Sequence, residues 1–553
     1  MGASEQDRLP RPDLLDLLVL LFLVAAEGVA LYEWLRADAV PNGFQNEFHH
    51  LLSAQEAWAL LAEGRIGALV PALFADYYPP LLDAVGMVAL TLGRGAEDLL
   101  AGTNLLWLAL LLGSTWGLAE LVVGRRAGIA AAALVAAFPA IVGNARYYEP
   151  NTALPAACTA TLLALAVSGD SARRWSVAGL LAGLALLADR LTAAPVLAGA
   201  VAWTLWPSIV GATADAASRR RALHLFLRLA LPAAVLFLPW LVCWLVRFLP
   251  EIAAQLGGEI TYGGVQTEQR SLVDPLTWTW YPLTLVQAQA GLLAGALAIV
   301  GGLGFVARER GAVARPVLGA LVLTLVLLSV VLKKQAYYSQ PIVPLAAVCG
   351  VWLLWRIPLA PARWLLLAPI LASTVLFTAE GSTGVPLHPD TRAWERWARP
   401  VPEAWIEPQY PQLDIPDGEA VSLDAVVDAL AAAGLRDDDV VLFYSEGQLL
   451  YEYAALAMLR LRLRGVRVEA AAASADGFSA AVPAASWFVY VSAAPERTWP
   501  DEESVTAMMI QQQLVDERLA TLLTDLDSLA ARARHVASWS QNDQERVHLH
   551  ALR

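Results

Sequence analysis

Residues 14–35 read LLDLLVLLFLVAAEGVALYEWL, and shortly after them comes Gln45-Asn46-Glu47-Phe48-His49-His50. The apolar run is long enough to cross a bilayer. It is too long for a cleavable signal peptide, and no small-x-small cleavage site closes it, so it reads as a signal-anchor helix. Arg8 and Arg11 precede it, which places the N-terminus in the cytoplasm by the positive-inside rule. The stretch at 45–50 then emerges on the outer side and brings a carboxylate and two imidazoles with it.

The rest of the composition agrees with a membrane protein. The chain has 553 residues, 57% hydrophobic and 16% charged, with a mean hydropathy of +0.51. Soluble domains are nearer a quarter charged. Apolar runs recur over residues 14–379, so the protein is polytopic. Cys158, Cys243 and Cys349 all lie in apolar runs and have neither disulfide nor zinc spacing. The net charge of −13 excludes a basic nucleic-acid footprint.

About 11 transmembrane helices are expected: 14–35, 99–122, 127–143, 152–168, 175–189, 191–207, 224–248, 283–306, 315–332, 339–357 and 363–379. Arg125-Arg126, Arg173-Arg174, Arg219-Arg220-Arg221, Arg308, Arg310, Arg315, Arg356 and Arg363 then fall in cytoplasmic loops. The first outer loop, 36–98, contains an amphipathic pattern (Phe48, Leu51, Leu52, Trp58, Leu61) suited to the interface. The run Leu81–Leu92 is short for a span and carries Asp83, so it reads as an outer membrane-surface helix. A span there would move Arg125-Arg126 to the outside.

An odd span count leaves everything after residue 380 outside. The expected division is a transmembrane module at 1–387 and a small extracytoplasmic α/β domain at 388–553. Strands are predicted at 440–444, 466–469 and 487–491, with a helix at 448–464 and a closing helical region at about 502–535. Alternating strands and helices imply a small parallel-type sheet. No glycine-rich phosphate loop follows the first strand.

Each polar candidate has an ordinary structural explanation beside a chemical one. Glu47 fits the first turn of a helix capped by Asn46, or a general base. His49 and His50 are interfacial histidines or metal ligands. Glu149 precedes Pro150, three residues after Arg146, as a boundary charge pair or the wall of a polar pocket. Asp76-Tyr77-Tyr78-Pro79-Pro80 is a turn or a second such wall. Asp189-Arg190 interrupts an apolar stretch, where charges are costly. Lys333 and Lys334, the only lysines, are snorkelling anchors or a phosphate site, with Tyr337 and Tyr338 beside them. Asp437–Asp439 and Asp525-x-Asp527 read as solvated charge.

Taken in order, these features resemble the GT-C glycosyltransferases. They are an acid-bearing first outer loop with a surface helix, Tyr77-Tyr78-Pro79-Pro80-Leu81, the Gly124-Arg125-Arg126 turn, and a carboxylate-proline step opening an outer helix start. The style is similar to dolichyl-phosphate-mannose protein mannosyltransferases and to bacterial aminoarabinose transferases acting on lipid A. The resemblance covers roughly residues 10–380. In that family an Asp-Glu pair is usual in the first outer loop, the Asp being the base. The matching pair here is Asn46-Glu47, and an amide cannot be a base.

The resemblance implies an inverting glycosyltransferase of the inner (cytoplasmic) membrane, active on its outer face. A polyprenyl-phosphate sugar would be the donor and a hydroxyl on lipid, glycan or protein the acceptor. Glu47 would be the base, with Glu149 second and Asp76 a further alternative. Lys333, Lys334, Arg190 and Arg146 would hold the donor phosphate. Tyr77, Tyr78, Tyr337, Tyr338 and His49 would line the substrate, and a divalent cation (Mg, Mn or Zn) would sit near Asp76 and His50. The competing classes are a catalytically inactive lipid-glycan scaffold, favoured by Asn46, and a transporter or flippase. No internal repeat supports the transporter.

Overall fold

The computed structural model describes residues 10–37, 45–75, 78–94, 98–211, 215–256, 273–330, 336–383, 423–446, 466–471, 475–492, 497–501, 516–540 and 546–552, with a few single positions between 456 and 505. Among the described residues, seventeen α-helices run in order through the first part. They are α1 (Leu14–Ala37), α2 (Gln45–Ala62), α3 (Ile66–Ala75), α4 (Leu81–Leu92), α5 (Asp98–Gly102), α6 (Asn104–Val122), α7 (Ala127–Ala137), α8 (Pro139–Asn144) and α9 (Pro150–Ala166). Then come α10 (Ala172–Ala188), α11 (Arg190–Val210), α12 (Ala216–Leu256), α13 (Pro275–Thr284), α14 (Leu292–Arg308), α15 (Arg315–Val330), α16 (Val343–Trp355) and α17 (Ala360–Thr383).

Among the described residues, six helices are long and apolar enough to cross a membrane: Leu14–Glu33, Leu99–Val122, Arg190–Val210, Ala216–Arg247, Ala312–Val330 and Tyr337–Trp355. Four shorter apolar helices accompany them, Leu81–Leu92, Ala127–Ala137, Leu292–Arg308 and Ala360–Leu376. Two expected spans are broken. The 127–143 stretch stops at Phe138, because Pro139 opens a separate helix at its N1 position. The 283–306 stretch is interrupted by π-helical Leu285–Gln289 and by Gly291 at φ 79°, a conformation that suits glycine.

The expected grouping of arginines at one end of the bundle is visible as contacts. Arg126 starts α7 at φ 68° and pairs with Asp13 and Asp16 at the head of α1, both at 2.9 Å. Trp355 Nε1 donates to the Arg125 carbonyl at 3.2 Å. Arg356 pairs with Glu309, and Arg363 lies over the Trp355 ring. Helix α9 runs through the middle of the bundle, with Ala153, Leu154, Ala157, Cys158 and Leu162 all buried.

The last part forms a five-stranded sheet, β1 (Val440–Ser445), β2 (Arg467–Ala470), β3 (Trp487–Ser492), β4 (Ala533–Ser540) and β5 (Arg546–Leu552), in the order β2-β1-β3-β5-β4. The predicted strands are present, and β1 is parallel to both β2 and β3. The sheet is nevertheless mixed, since β5 runs antiparallel to β3 and to β4. The closing helix is Asp516–Ala530, so the expected helical stretch to 535 is too long. The alternation Val547, Leu549, Ala551 against His548, His550, Leu552 marks a strand of period two. Its first set joins the core of Val441, Phe443 and Val489, and Leu552 joins the opposite core of Leu442, Tyr444 and Tyr490. Most of the predicted helix at 448–464 lies outside the described residues. Asp439 is no free charge, because it accepts from Trp487 Nε1 at 3.0 Å and from the Arg436 amide at 2.8 Å. Leu52 of α2 packs against both the bundle core and the sheet core.

Candidate active site

Helix α2 begins at Gln45, so Glu47 is in its first turn as expected. Asn46 is inside that turn and not ahead of it. The side chains of Asn46, Glu47 and His49 lie outside the described residues, as do Asp76, Tyr77, Lys333 and Lys334.

His50 is the first residue of this stretch whose surroundings are defined. It turns inward and is fully buried. Its Nδ1 lies 2.8 Å from Asp83 Oδ1 on α4, which is also fully buried. Asp83 is therefore no marker of a helix lying in solvent at the interface. It holds α4 against α2 by a buried hydrogen bond. The Tyr78 ring sits 5.2 Å from the His50 ring, and Tyr148 donates its hydroxyl proton to the Leu82 carbonyl. Gly86 provides the room for that phenol, since a Cβ there would collide with its oxygen. A sequence reading that treats Asp83 only as an obstacle to membrane crossing misses this cluster. The cue was an acid in an apolar helix with a histidine two helices earlier, in α2.

The loop Ala145–Glu149 closes the cluster from α9. Asn104, at the start of α6, donates to the carbonyls of Ala145 at 3.0 Å and Tyr147 at 2.8 Å. Pro150 occupies the first helical position of α9 and fixes the preceding Glu149 in an extended conformation, φ −127°. Glu149 is 3% exposed. Its Oε2 accepts from Asn151 Nδ2 at 2.6 Å, and its Oε1 has no hydrogen-bond partner among the described residues. Burial raises this carboxyl to about 7, while the charge of His50 and the Asn151 hydrogen bond act the other way. Arg146, also buried, acts electrostatically on buried Glu27 of α1. Of the two readings of Arg146 and Glu149, a boundary charge pair or the wall of a polar pocket, the burial of both side chains agrees with the second.

Asp189 and Arg190 separate in role. Asp189 caps α11, accepting from the Leu191 amide at 2.9 Å and the Thr192 hydroxyl at 2.6 Å. The Arg190 guanidinium lies 4.1 Å above the Trp244 ring and 5.0 Å from that of Trp240, both on α12. Tyr337 and Tyr338 meet edge to face at 4.7 Å in a 3-10 segment, Ala336–Ile342. That segment lies against α9, α11, α15 and α16. Next to it, Gln289 Nε2 donates to Ser339 Oγ at 2.9 Å. These two polar groups border an apolar cavity of about 300 Å³, lined by Leu285, Ile299, Leu303 and Leu325 among others.

Of the two residues expected at a cation site, Asp76 lies outside the described residues. His50 Nδ1 is engaged by Asp83, and no group of three or more His, Cys, Asp or Glu among them is placed to hold a metal.

No protein-family model and no curated protein matches the sequence. Solved structures do. ArnT from Cupriavidus metallidurans, bound to undecaprenyl phosphate, superposes with a TM-score of 0.55 at 16% identity, over 96% of this chain and 97% of that one. The same protein in its apo state gives the same values. The arabinofuranosyltransferase AftD from Mycobacteria gives 0.45 at 15% identity, over 96% of this chain and 40% of that one. The likeness to ArnT runs from end to end and shows that this chain shares its fold.

Proposed function

We propose that the protein is an inverting glycosyltransferase. It moves a sugar from a polyprenyl-phosphate donor to a hydroxyl acceptor on the outer face of the cytoplasmic membrane. The observation that carries this reading is Glu149, a buried carboxylate with one oxygen open and its protonation balanced near neutrality. It sits in the fold of a protein crystallised with undecaprenyl phosphate. A base poised near the working pH takes a proton most effectively.

In this mechanism the acceptor oxygen attacks the anomeric carbon as its proton passes to a carboxylate. The bond from that carbon to the donor phosphate oxygen breaks, and polyprenyl phosphate leaves with the electron pair. Attack opposite the leaving group inverts the configuration. Glu149 is favoured as the base because its environment is defined, and Glu47 is the alternative. Arg146, Arg190, Lys333 and Lys334 are the cations proposed for the departing phosphate. Tyr77, Tyr78, Tyr337, Tyr338 and His49 are proposed to contact the substrates. The apolar cavity beside Gln289 and Ser339 suits a prenyl chain, being almost free of polar lining. No step is assigned to a metal.

The test is release of polyprenyl phosphate from a panel of polyprenyl-phosphate sugars by the purified full chain. Glu149→Gln and Glu47→Gln are assayed beside it. Loss of about 10²-fold or more in one variant identifies the base.

A further inference from the structure

Helices α11 and α12 follow one another in the chain but are drawn toward different partners. Helix α10 lies close on α12, where Gly183 leaves just enough room for Ala233 and Leu236. Helix α11 lies on α15, where Gly199 meets the Gly319 carbonyl and neither position has room for a Cβ. The two glycine contacts pull α11 and α12 apart. A groove of about 640 Å³ opens between them, floored by Ala182 of α10 and walled by Val201, Leu205, Phe226 and Leu229.

Among the described residues, one charged side chain lines this groove, Arg219, near the start of α12. Its neighbours are engaged. Arg221 pairs with Asp170, Arg220 donates to the Ala216 carbonyl, and Asp215 accepts from the Ser218 amide. Arg219 is exposed, and no side-chain hydrogen bond or ion pair of it occurs among the described residues. From Arg219 to Ala233 the helix rises about 21 Å at 1.5 Å per residue. That exceeds half of a hydrocarbon core of about 30 Å. The groove thus runs from a cationic end, at the arginine-rich side of the bundle, toward the bilayer middle.

We propose that this groove binds an anionic phospholipid, with its phosphate on Arg219 and one acyl chain between α11 and α12. The charge complementarity and the one-leaflet length select this occupant. A zwitterionic lipid would gain the apolar contact without the net attraction at the cationic end. The inference is independent of the proposed reaction.

Native mass spectrometry of the delipidated full chain tests it, with phosphatidylglycerol and phosphatidylcholine of identical chains. Phosphatidylglycerol is expected to bind more tightly. Arg219→Gln should lower its affinity about fivefold, to the phosphatidylcholine level. Arg220→Gln should change it less than about twofold. Ala202→Trp and Ala198→Trp, at two exposed lining positions, should each reduce binding of both lipids. Unfolding temperatures of the lipid-free variants distinguish a lost site from a folding defect. Equal binding of the two lipids, or full binding by Arg219→Gln or by both tryptophan variants, would overturn the proposal.

Discussion

His50 Nδ1 and Asp83 Oδ1 meet at 2.8 Å with both side chains fully buried, and this contact ties α2 to α4. It joins the first polar stretch after α1 to a helix that the sequence alone places at the membrane surface. The same contact brings Tyr78, Tyr148 and Glu149 around one point.

Removing one member of a buried hydrogen-bonded pair strands the other. Asp83→Leu or His50→Leu is expected to cost about 1–3 kcal/mol, whereas the two together should cost less than these single changes summed. Thermal unfolding in detergent measures all three. Additive costs would show that the two residues do not act as a pair.

The α11–α15 crossing depends on Gly199 and Gly319. Gly319→Ala is expected to destabilise the bundle by about 1–3 kcal/mol, the range for overpacking. Gly302→Ala, where a Cβ meets nothing within 4 Å, is its control and should leave unfolding unchanged or slightly later. Equal unfolding temperatures for the two would rule out the close approach.

Acid should loosen the C-terminal sheet. His548 and His550 are buried on β5 beside His535, and burial lowers both, His550 to about 4 from its ordinary 6.5. A group with a depressed folded value stabilises fully above its unfolded value. That stability is lost as pH falls from 6.5 through about 4. His550→Phe should flatten the dependence. Unfolding followed between pH 4 and 7.5 checks this, and an unchanged slope in His550→Phe would assign the loss to other groups.

Sequence pattern made the membrane helices, the arginine-rich end and the first three strands legible, because hydropathy and period two are local signals. Contacts between distant segments were not legible in this way. Asp83 could be seen as unusual in an apolar run, yet its partner lies 33 residues away. The Arg190 stack on Trp240 and Trp244 depends on how α11 and α12 cross. Asp189 looked like an intramembrane charge, although its position just before α11 is that of a cap. The β4–β5 hairpin was hidden by helix-forming residues immediately before it. Glu149 stood out in the sequence beside its proline, and the fold supplied its burial.

The most direct test of the account is polyprenyl phosphate release by Glu149→Gln against the unaltered full chain. Both are supplied with the polyprenyl-phosphate sugar that the unaltered chain uses. The account predicts a fall of about 10²-fold or more with donor binding retained. Undiminished release by Glu149→Gln would contradict it.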